Sequence, residues 1–443
     1  MSRYNIRTVI IKIFSCFVSF FLISCLLPLL SEVCDKYIAI PINNHLLFFF
    51  KEEIYDFLII DKEHSISLLI VIFLLFYISY FVSRIILTKY VYDSPLEKRE
   101  NTVGHFDSVN VIKAIGVLFV IIVHTWFEVG FYSKSVNEPV MWIMIYINSI
   151  LLTCVPLFLC MTGFLLKNKK ITLKHYIGWF KYYIPFVLIM LMQYVYNNVV
   201  YNNSEGLYGA FTVYLNGYMS MFFGVYLIVP FLNVLWNNLD INKKMILLIV
   251  LLFLTIIPSV TGMMFTRLWT PLCPFLYYYT GAFLREYKVK IDSIYAVVIL
   301  FTICILETVY VVFYSDGVIN MGYFWNEYNN FYNTYYILPT YFLTVLIIIL
   351  ILNKNSFSRV TLNLAGKLSY YSLEMYLVSS RLIQSVLWTN VRKRFEITDD
   401  MSLLISPIMI LIEIVITFII SIIVKKISVY LYDVWLKMYK EYA

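Results

Sequence analysis

Charge is what this chain has least of. Asp, Glu, Lys and Arg make up 14% of its 443 residues, against roughly 25% in soluble domains. With 61% hydrophobic residues and a mean hydropathy of +0.79, the scarcity excludes a water-soluble globule and points to an all-α polytopic membrane protein. Most of the chain is membrane segment, so no separate soluble catalytic domain is expected. Any active site must be built from the helices and their loops. Paired cysteines are missing too: Cys16, Cys25, Cys34, Cys154, Cys160, Cys273 and Cys304 are scattered, mostly in apolar runs. That spacing supports neither a disulfide framework nor a zinc site, and no metal is expected. No internal repeat is visible, which weakens a transporter built from inverted halves. The net charge of +7 is no sign of a nucleic-acid partner, because the basic residues cluster in connecting loops. The N-terminal run to Leu30 lacks a convincing small-x-small cleavage site, so it reads as a retained first span.

What the chain does have is apolar stretches. Twelve are long enough to cross a hydrocarbon core that takes about 20 residues. They lie near residues 9–30, 65–86, 109–131, 140–165, 176–198, 214–236, 244–262, 269–284, 293–314, 335–352, 369–389 and 402–424. The eighth is short and carries Pro271 and Pro274, which predicts a kink or a partial span. Lysine and arginine gather in the loops that join even-numbered spans to the next, for example Lys167, Lys169, Lys170 and Lys174. One orientation satisfies them all: a cell-membrane protein with both termini in the cytoplasm. The segment 390–400 is basic yet falls outside under that orientation. The stretch 45–60 is interrupted by charges and reads as an external amphipathic helix. Tyrosine is abundant, at 39 residues, and the outer loops at 201–211 and 315–336 are polar and aromatic. Interfacial belts explain this; so does a vestibule for sugars, whose faces suit aromatic rings and Asn side chains.

Histidine is rarer still than cysteine, and one of the five stands apart. His45, His64, His105 and His175 lie in polar connections or at segment edges, whereas His124 lies inside VNVIKAIGVLFVIIVHTW. An ionisable group at bilayer depth costs roughly 2.5–3.5 kcal/mol on insertion scales, so one kept there is a functional candidate. Histidine also titrates near neutral pH, which suits proton transfer. Lys113 precedes it by eleven residues, about three helical turns plus 20°, so both share a face roughly 16 Å apart. Asn110 lies one turn before Lys113 and Glu128 one turn after His124, with compact Val117 and Val120 between. The stripe is cationic at one mouth, an imidazole in the middle and a carboxylate at the other end. Gln193, Glu307, Glu374 and Glu413 are the other polar groups in spans, each readable as an inter-helix hydrogen-bond partner.

Five stretches, in order, resemble the acyltransferase-3 type of membrane acyltransferase, which O-acylates extracytoplasmic sugars and polymers. VNVIKAIGVLFVIIVHT is similar to the family's first core helix, and VPLFLCMTGFLLKNKK (155–170) to a later helix end. GYMSMFFGVYLIVPFLN (217–233) matches its Tyr-Leu-x-x-Pro helix through Tyr226. PLCPFLYYYTGAFLREYK (271–288) matches its Tyr-Tyr-x-x-Gly-Ala segment, and SLEMYLVS (372–379) its Ser-Leu-Glu-x-Tyr-Leu helix through Glu374. The resemblance covers about residues 106–424, ten of the twelve spans. It implies a ten-helix core over 106–430, an N-terminal extension of two helices over 1–105, and a cytoplasmic tail over 431–443. Three positions depart from the pattern. Lys113 stands where Arg is frequent, Lys181 alone represents an arginine group, and Ser379 stands where many members carry a second His.

The resemblance implies transfer of an acyl group, expected to be acetyl, from cytoplasmic acyl-CoA to a hydroxyl of an extracytoplasmic polysaccharide or lipid-linked glycan. Acetyl-CoA is then a donor substrate, not a resident cofactor. Asn110, Lys113, Lys174 and Lys181 would contact the donor. His124 would be general base or acyl carrier, with Glu128 orienting it; Tyr226, Glu374 and Ser379 would support the site. Without an appended hydrolase-like domain, the membrane core is expected to complete the transfer. Two other classes compete. An exporter or flippase of a lipid-linked glycan would need a continuous polar route. A polysaccharide polymerase would place its essential polar residues in a large outer loop.

Overall fold

The computed structural model describes residues 97–98, 104–131, 139–201, 218–256, 267–289, 291–314, 337–354, 356–388, 391, 394 and 399–442. The first two expected spans, the stretch 45–60, both aromatic loops beyond Tyr201 and most of 390–400 lie outside these residues. The chain divides into two units, one of residues 1–96 and 290–317, the other of 97–289 and 318–443.

In the second unit, β1 (Glu97–Lys98) leads to the helices α1 (Gly104–Glu128), α2 (Pro139–Leu151), α3 (Cys154–Leu166), α4 (Leu173–Gly178), α5 (Phe180–Tyr201), α6 (Tyr218–Asn237) and α7 (Ile241–Thr255). A 3₁₀ turn over Arg267–Leu272 enters α8 (Cys273–Glu286), followed by β2 (Tyr287–Lys288). β2 pairs antiparallel with β1, Glu97 opposite Lys288. In the first unit the described element is α9 (Ser293–Tyr314); α10 (Leu338–Leu352), α11 (Arg359–Val378) and α12 (Asp399–Tyr442) return to the second. Side-chain caps fix some starts: Asp240 accepts from Lys243 N at 2.9 Å ahead of α7, and Ser358 from Thr361 N at 3.1 Å ahead of α11.

Four stretches among the described residues are long and apolar enough to cross a membrane: Asp107–Glu128, Met141–Leu166, Tyr218–Asn237 and Leu404–Tyr439. Ser293–Val309 and Leu338–Leu352 are shorter apolar helices. The fourth expected span proves to be two helices, α2 and α3, joined at Leu152–Thr153. The last is much longer than a bilayer requires, because α12 continues without a break through Tyr442.

Lipid offers little hydrophobic drive between helices, so packing rests on close backbone approach. α3 and α8 show how. A Cβ added at Gly163 would collide with the Tyr278 carbonyl, and one at Gly281 with the Cys160 carbonyl. Each glycine is thus pressed against the other helix. The second tight pair is α1 with α11, where Val117 and Ile121 pack with Leu368 and Met375. This pairing lays the polar face of α1 along α11 and, beyond it, α12.

The end of α3 is held from three sides. Asn233 of α6 donates to the carbonyls of Leu166 (2.8 Å) and Lys169 (2.9 Å) while accepting from Tyr278 Oη at 2.6 Å. Arg285 donates to Phe164 O at 2.6 Å. Glu286 pairs with both Lys167 and Lys244. These contacts satisfy carbonyls that a helix C-terminus leaves open.

Candidate active site

α1 reaches the site first. Near its start, Asn110 Oδ1 accepts from Ser369 Oγ at 2.9 Å, and Lys113 Nζ donates to Ser369 O at 3.1 Å. Both contacts fix α1 to one turn of α11. One turn further along α11, Glu374 accepts from Lys425 of α12 at 2.9 Å, and the Lys113 ammonium also acts on that carboxyl. Lys425 lies over the Tyr370 ring, 5.2 Å from its centre.

Lys113 lines a cleft of about 690 Å³, open solvent included. Phe158, Met161, Thr162, Leu165 and Leu166 of α3 form one wall. Tyr182, Tyr218 and Phe222 form another, and Ser372, Leu373 and Tyr376 of α11 close it. The lining is mostly apolar and aromatic with one cation, which suits an extended organic chain carrying an anionic head. Val117 does not line it but belongs to the packed core between α1 and α11.

Tyr376 links the cleft to His124. Its ring is 5.3 Å from that of Tyr218 and 6.0 Å from the imidazole. His124 itself is buried, at 9% exposure. Its Nδ1 lies 3.4 Å from Ser379 Oγ, and Ser379 Oγ donates to Glu413 Oε1 at 2.6 Å. A serine hydroxyl has one hydrogen. Given to Glu413, it leaves Oγ to accept from Nδ1–H, so Nε2 is the unprotonated nitrogen of the neutral ring.

Glu413 Oε2 is held by Trp388 Nε1 and by Thr125 Oγ1, each at 2.8 Å. Thr125 Oγ1 also lies 2.9 Å from Ile121 O. Its one hydrogen goes to one or the other; when it goes to Ile121, Oγ1 accepts from a protonated Glu413. The site thus accommodates Glu413 with or without a proton. The geometry depends on a local departure from α-helix: α11 passes at Ser379 into a π-helical stretch ending at Trp388. Such stretches recur at functional sites, and this one turns both Ser379 and Trp388 onto Glu413.

The structure brings Asn110, Lys113, Glu374, Ser379 and His124 along one seam. Glu128 sits one turn beyond His124, half-buried; the carboxylate reached from the imidazole through Ser379 is Glu413. Lys174 and Lys181 are exposed. The Lys181 ammonium lies over Tyr432 at 5.2 Å, and neither lysine lines the cleft. Tyr226 secures α4 instead. Its ring stacks on His175 with centres 4.5 Å apart, its carbonyl accepts from His175 Nε2 at 2.8 Å, and its hydroxyl donates to His175 O at 3.3 Å. Burial lowers the His175 pKa below its ordinary value.

Glu413 was legible only as a polar residue in a span, and Trp388, Thr125 and Tyr376 carried no signal. Their placement depends on the π-helical stretch and on which way α12 turns against α1.

Residues 106–426 match a family model described as an acyltransferase domain, of the acyltransferase-3 type. The match covers well over half of the chain, which therefore belongs to this family of membrane acyltransferases. No curated protein and no solved structure matches the chain.

Proposed function

We propose that the protein moves an acetyl group from cytoplasmic acetyl-CoA to a hydroxyl of an extracytoplasmic polysaccharide or lipid-linked glycan. The Lys113 end of the cleft faces the cytoplasm of a cell-membrane protein with both termini inside. The observation that carries this reading is an imidazole, tied through Ser379 to a buried carboxyl, that neighbours Tyr376 in the wall of a cleft also lined by Lys113.

Lys113 acts as a point charge on the donor's phosphates. Lys174 and Lys181, exposed at the same end, add long-range positive potential. The pantetheine arm lies along the cleft, against Phe158 and Tyr218, and the thioester reaches His124 past Tyr376. Nε2 then takes the proton of the acceptor hydroxyl while its oxygen attacks the thioester carbon. The new carbon–oxygen bond forms, the carbon–sulfur bond breaks, and coenzyme A leaves as thiolate. Ser379 and Glu413 orient the ring and stabilise its protonated form, and Glu128 adds negative charge from the acceptor side. Carrying an acyl group inward along the cleft avoids moving a multiply charged donor through hydrocarbon.

The test is the acyl content, by NMR, of purified surface polysaccharide from wild-type cells, a deletion strain and His124→Ala at matched expression. Ester signals lost in both mutants, with polymer amount unchanged, support the proposal. Normal acylation with polymer retained inside the cell would sink it in favour of glycan export.

A further inference from the structure

Buried threonines and serines in this bundle mostly close onto their own helix. Ser149, Thr162, Thr255, Thr280 and Thr344 each lie within hydrogen-bond distance of the carbonyl four residues back. That is the usual way for such a hydroxyl to be satisfied inside a helix. α12 is different. Thr417 and Ser421 are fully buried, and their hydroxyls find no partner among the described residues. They occupy the two turns between Glu413 and Lys425, so the order along one side of α12 is Glu413, Thr417, Ser421, Lys425.

Both ends of this row are ionisable and already tied to the site. Glu413 connects through Ser379 to His124. Lys425 pairs with Glu374, whose second oxygen, Oε2, is buried and also without a partner. The groups facing Glu374 are Lys113 of α1 and Lys425 of α12; those facing Glu413 are Thr125, Ser379 and Trp388. The Lys425 side chain is 24% exposed, so this end reaches the surface.

Two unpartnered buried hydroxyls one turn apart, with a third unpartnered oxygen on the carboxyl that Lys425 binds, are costly unless hydrated. Hydroxyls one turn apart stand about 6 Å from each other along the axis, beyond direct reach but spanned by two waters bonded to each other. A buried water takes two to four polar partners, and this row supplies them.

We propose that Thr417 and Ser421 line a hydrated proton track joining the His124–Ser379–Glu413 relay to Glu374 and Lys425 at the cytoplasmic end. It rests on the acyl-transfer reading above. During turnover the acceptor's proton passes to Nε2. The ring's Nδ1 proton leaves through Ser379 to Glu413 and moves along Thr417 and Ser421 toward the cytoplasmic end; it returns by the same route as Nε2 hands the acceptor's proton to the departing thiolate, which restores the starting tautomer. Charge and protons balance over the cycle, and the imidazole returns neutral without a proton crossing bare hydrocarbon.

The test uses the full chain in lipid vesicles, with acetyl-CoA as donor and unacylated polysaccharide from the deletion strain as acceptor. Thiol release is followed in H2O and in D2O. Thr417→Val with Ser421→Ala is expected to lower kcat about tenfold, leave KM for acetyl-CoA unchanged and enlarge the solvent isotope effect. Thr417→Ser, which keeps the hydroxyl, is expected to match wild type. If the double variant melts early, the single Thr417→Val, isosteric with threonine, decides by the same two readouts. Wild-type kcat in these variants, or a loss of kcat with an unchanged isotope effect, overturns the track. Two controls separate the claims: no acceptor-dependent thiol release from the wild-type protein defeats the acyl-transfer reading itself, whereas an inactive His124→Ala beside an unaffected Thr417→Val defeats only the track.

Discussion

Ser379 stands between His124 and Glu413, 3.4 Å from the imidazole Nδ1 and 2.6 Å from the carboxyl Oε1. Its single hydrogen sets the direction of the chain and so the tautomer of the ring. Replacing it removes the link but neither end. Ser379→Ala and Glu413→Gln are each expected to lower kcat by roughly 10²–10⁴-fold, the range for losing a general base or its orienting partner. KM for acetyl-CoA should stay near wild type, since neither residue lines the cleft. Steady-state kinetics on purified protein in vesicles checks this; a rise in KM with constant kcat would place both residues in donor binding instead.

Lys113 does two jobs, donating to Ser369 O at 3.1 Å and placing a positive charge in the cleft lining. Lys113→Met removes the charge but keeps most of the stem. Donor affinity is expected to fall about tenfold, the loss of about one charged contact. Lys113→Arg should retain most of it. Binding of acetyl-CoA measured calorimetrically at low and high salt is the check: the wild-type affinity should drop with salt, and that of Lys113→Met should drop less. Unchanged affinity in Lys113→Met would sink the docking scheme.

The residues that sequence alone could place were those whose role depends on their own helix. Asn110, Lys113 and His124 share a face of α1 because three turns of helix dictate it, and they meet α11 on that face. The mechanism's second half was harder to read. Glu413 reads as any acidic residue in a span, because what ties it to the imidazole is a serine on another helix. That serine is aimed by a π-helical stretch that leaves no mark in apolar periodicity. Val117 and Val120 suggested a channel from their small size, but small residues on a helix face serve close packing equally well, and Val117 packs against α11. Lys174 and Lys181 were read as donor ligands from charge and order, whereas their exposure follows from the pitch of α4 and α5.

Gly163 and Gly281 make a prediction about assembly rather than chemistry. Each faces the carbonyl backbone of the opposing helix, which no side-chain rotamer can relieve. Gly163→Ala or Gly281→Ala should therefore separate α3 from α8 and cost about 1–3 kcal/mol, as other overpacked sites do. The readout is a lower melting temperature in detergent, with α3's cleft wall displaced and donor affinity reduced alongside. Gly366, where an added Cβ meets nothing, is the control: Gly366→Ala should melt as wild type or slightly higher. Equal melting of Gly163→Ala and Gly366→Ala would mean that the α3–α8 crossing is looser than described.

His175 gives the fold a pH dependence that needs no catalysis to see. Its ring is buried against Tyr226, donates from Nε2 to the Tyr226 carbonyl, and leaves Nδ1 buried without a partner. Burial holds its pKa below the ordinary histidine value. The folded state therefore excludes a proton that the unfolded chain accepts near pH 6.5. The sign follows: His175 contributes its full stability above about pH 6.5, and that contribution is lost as pH falls through this value toward the lower folded one. Melting temperature should decline over that acid window. His175→Phe keeps a ring to stack on Tyr226 but cannot titrate, so its absolute stability will shift while its acid slope flattens. Melting curves of both proteins between pH 7.5 and about pH 5 decide the matter, and parallel slopes would show that protonation elsewhere governs the acid limb.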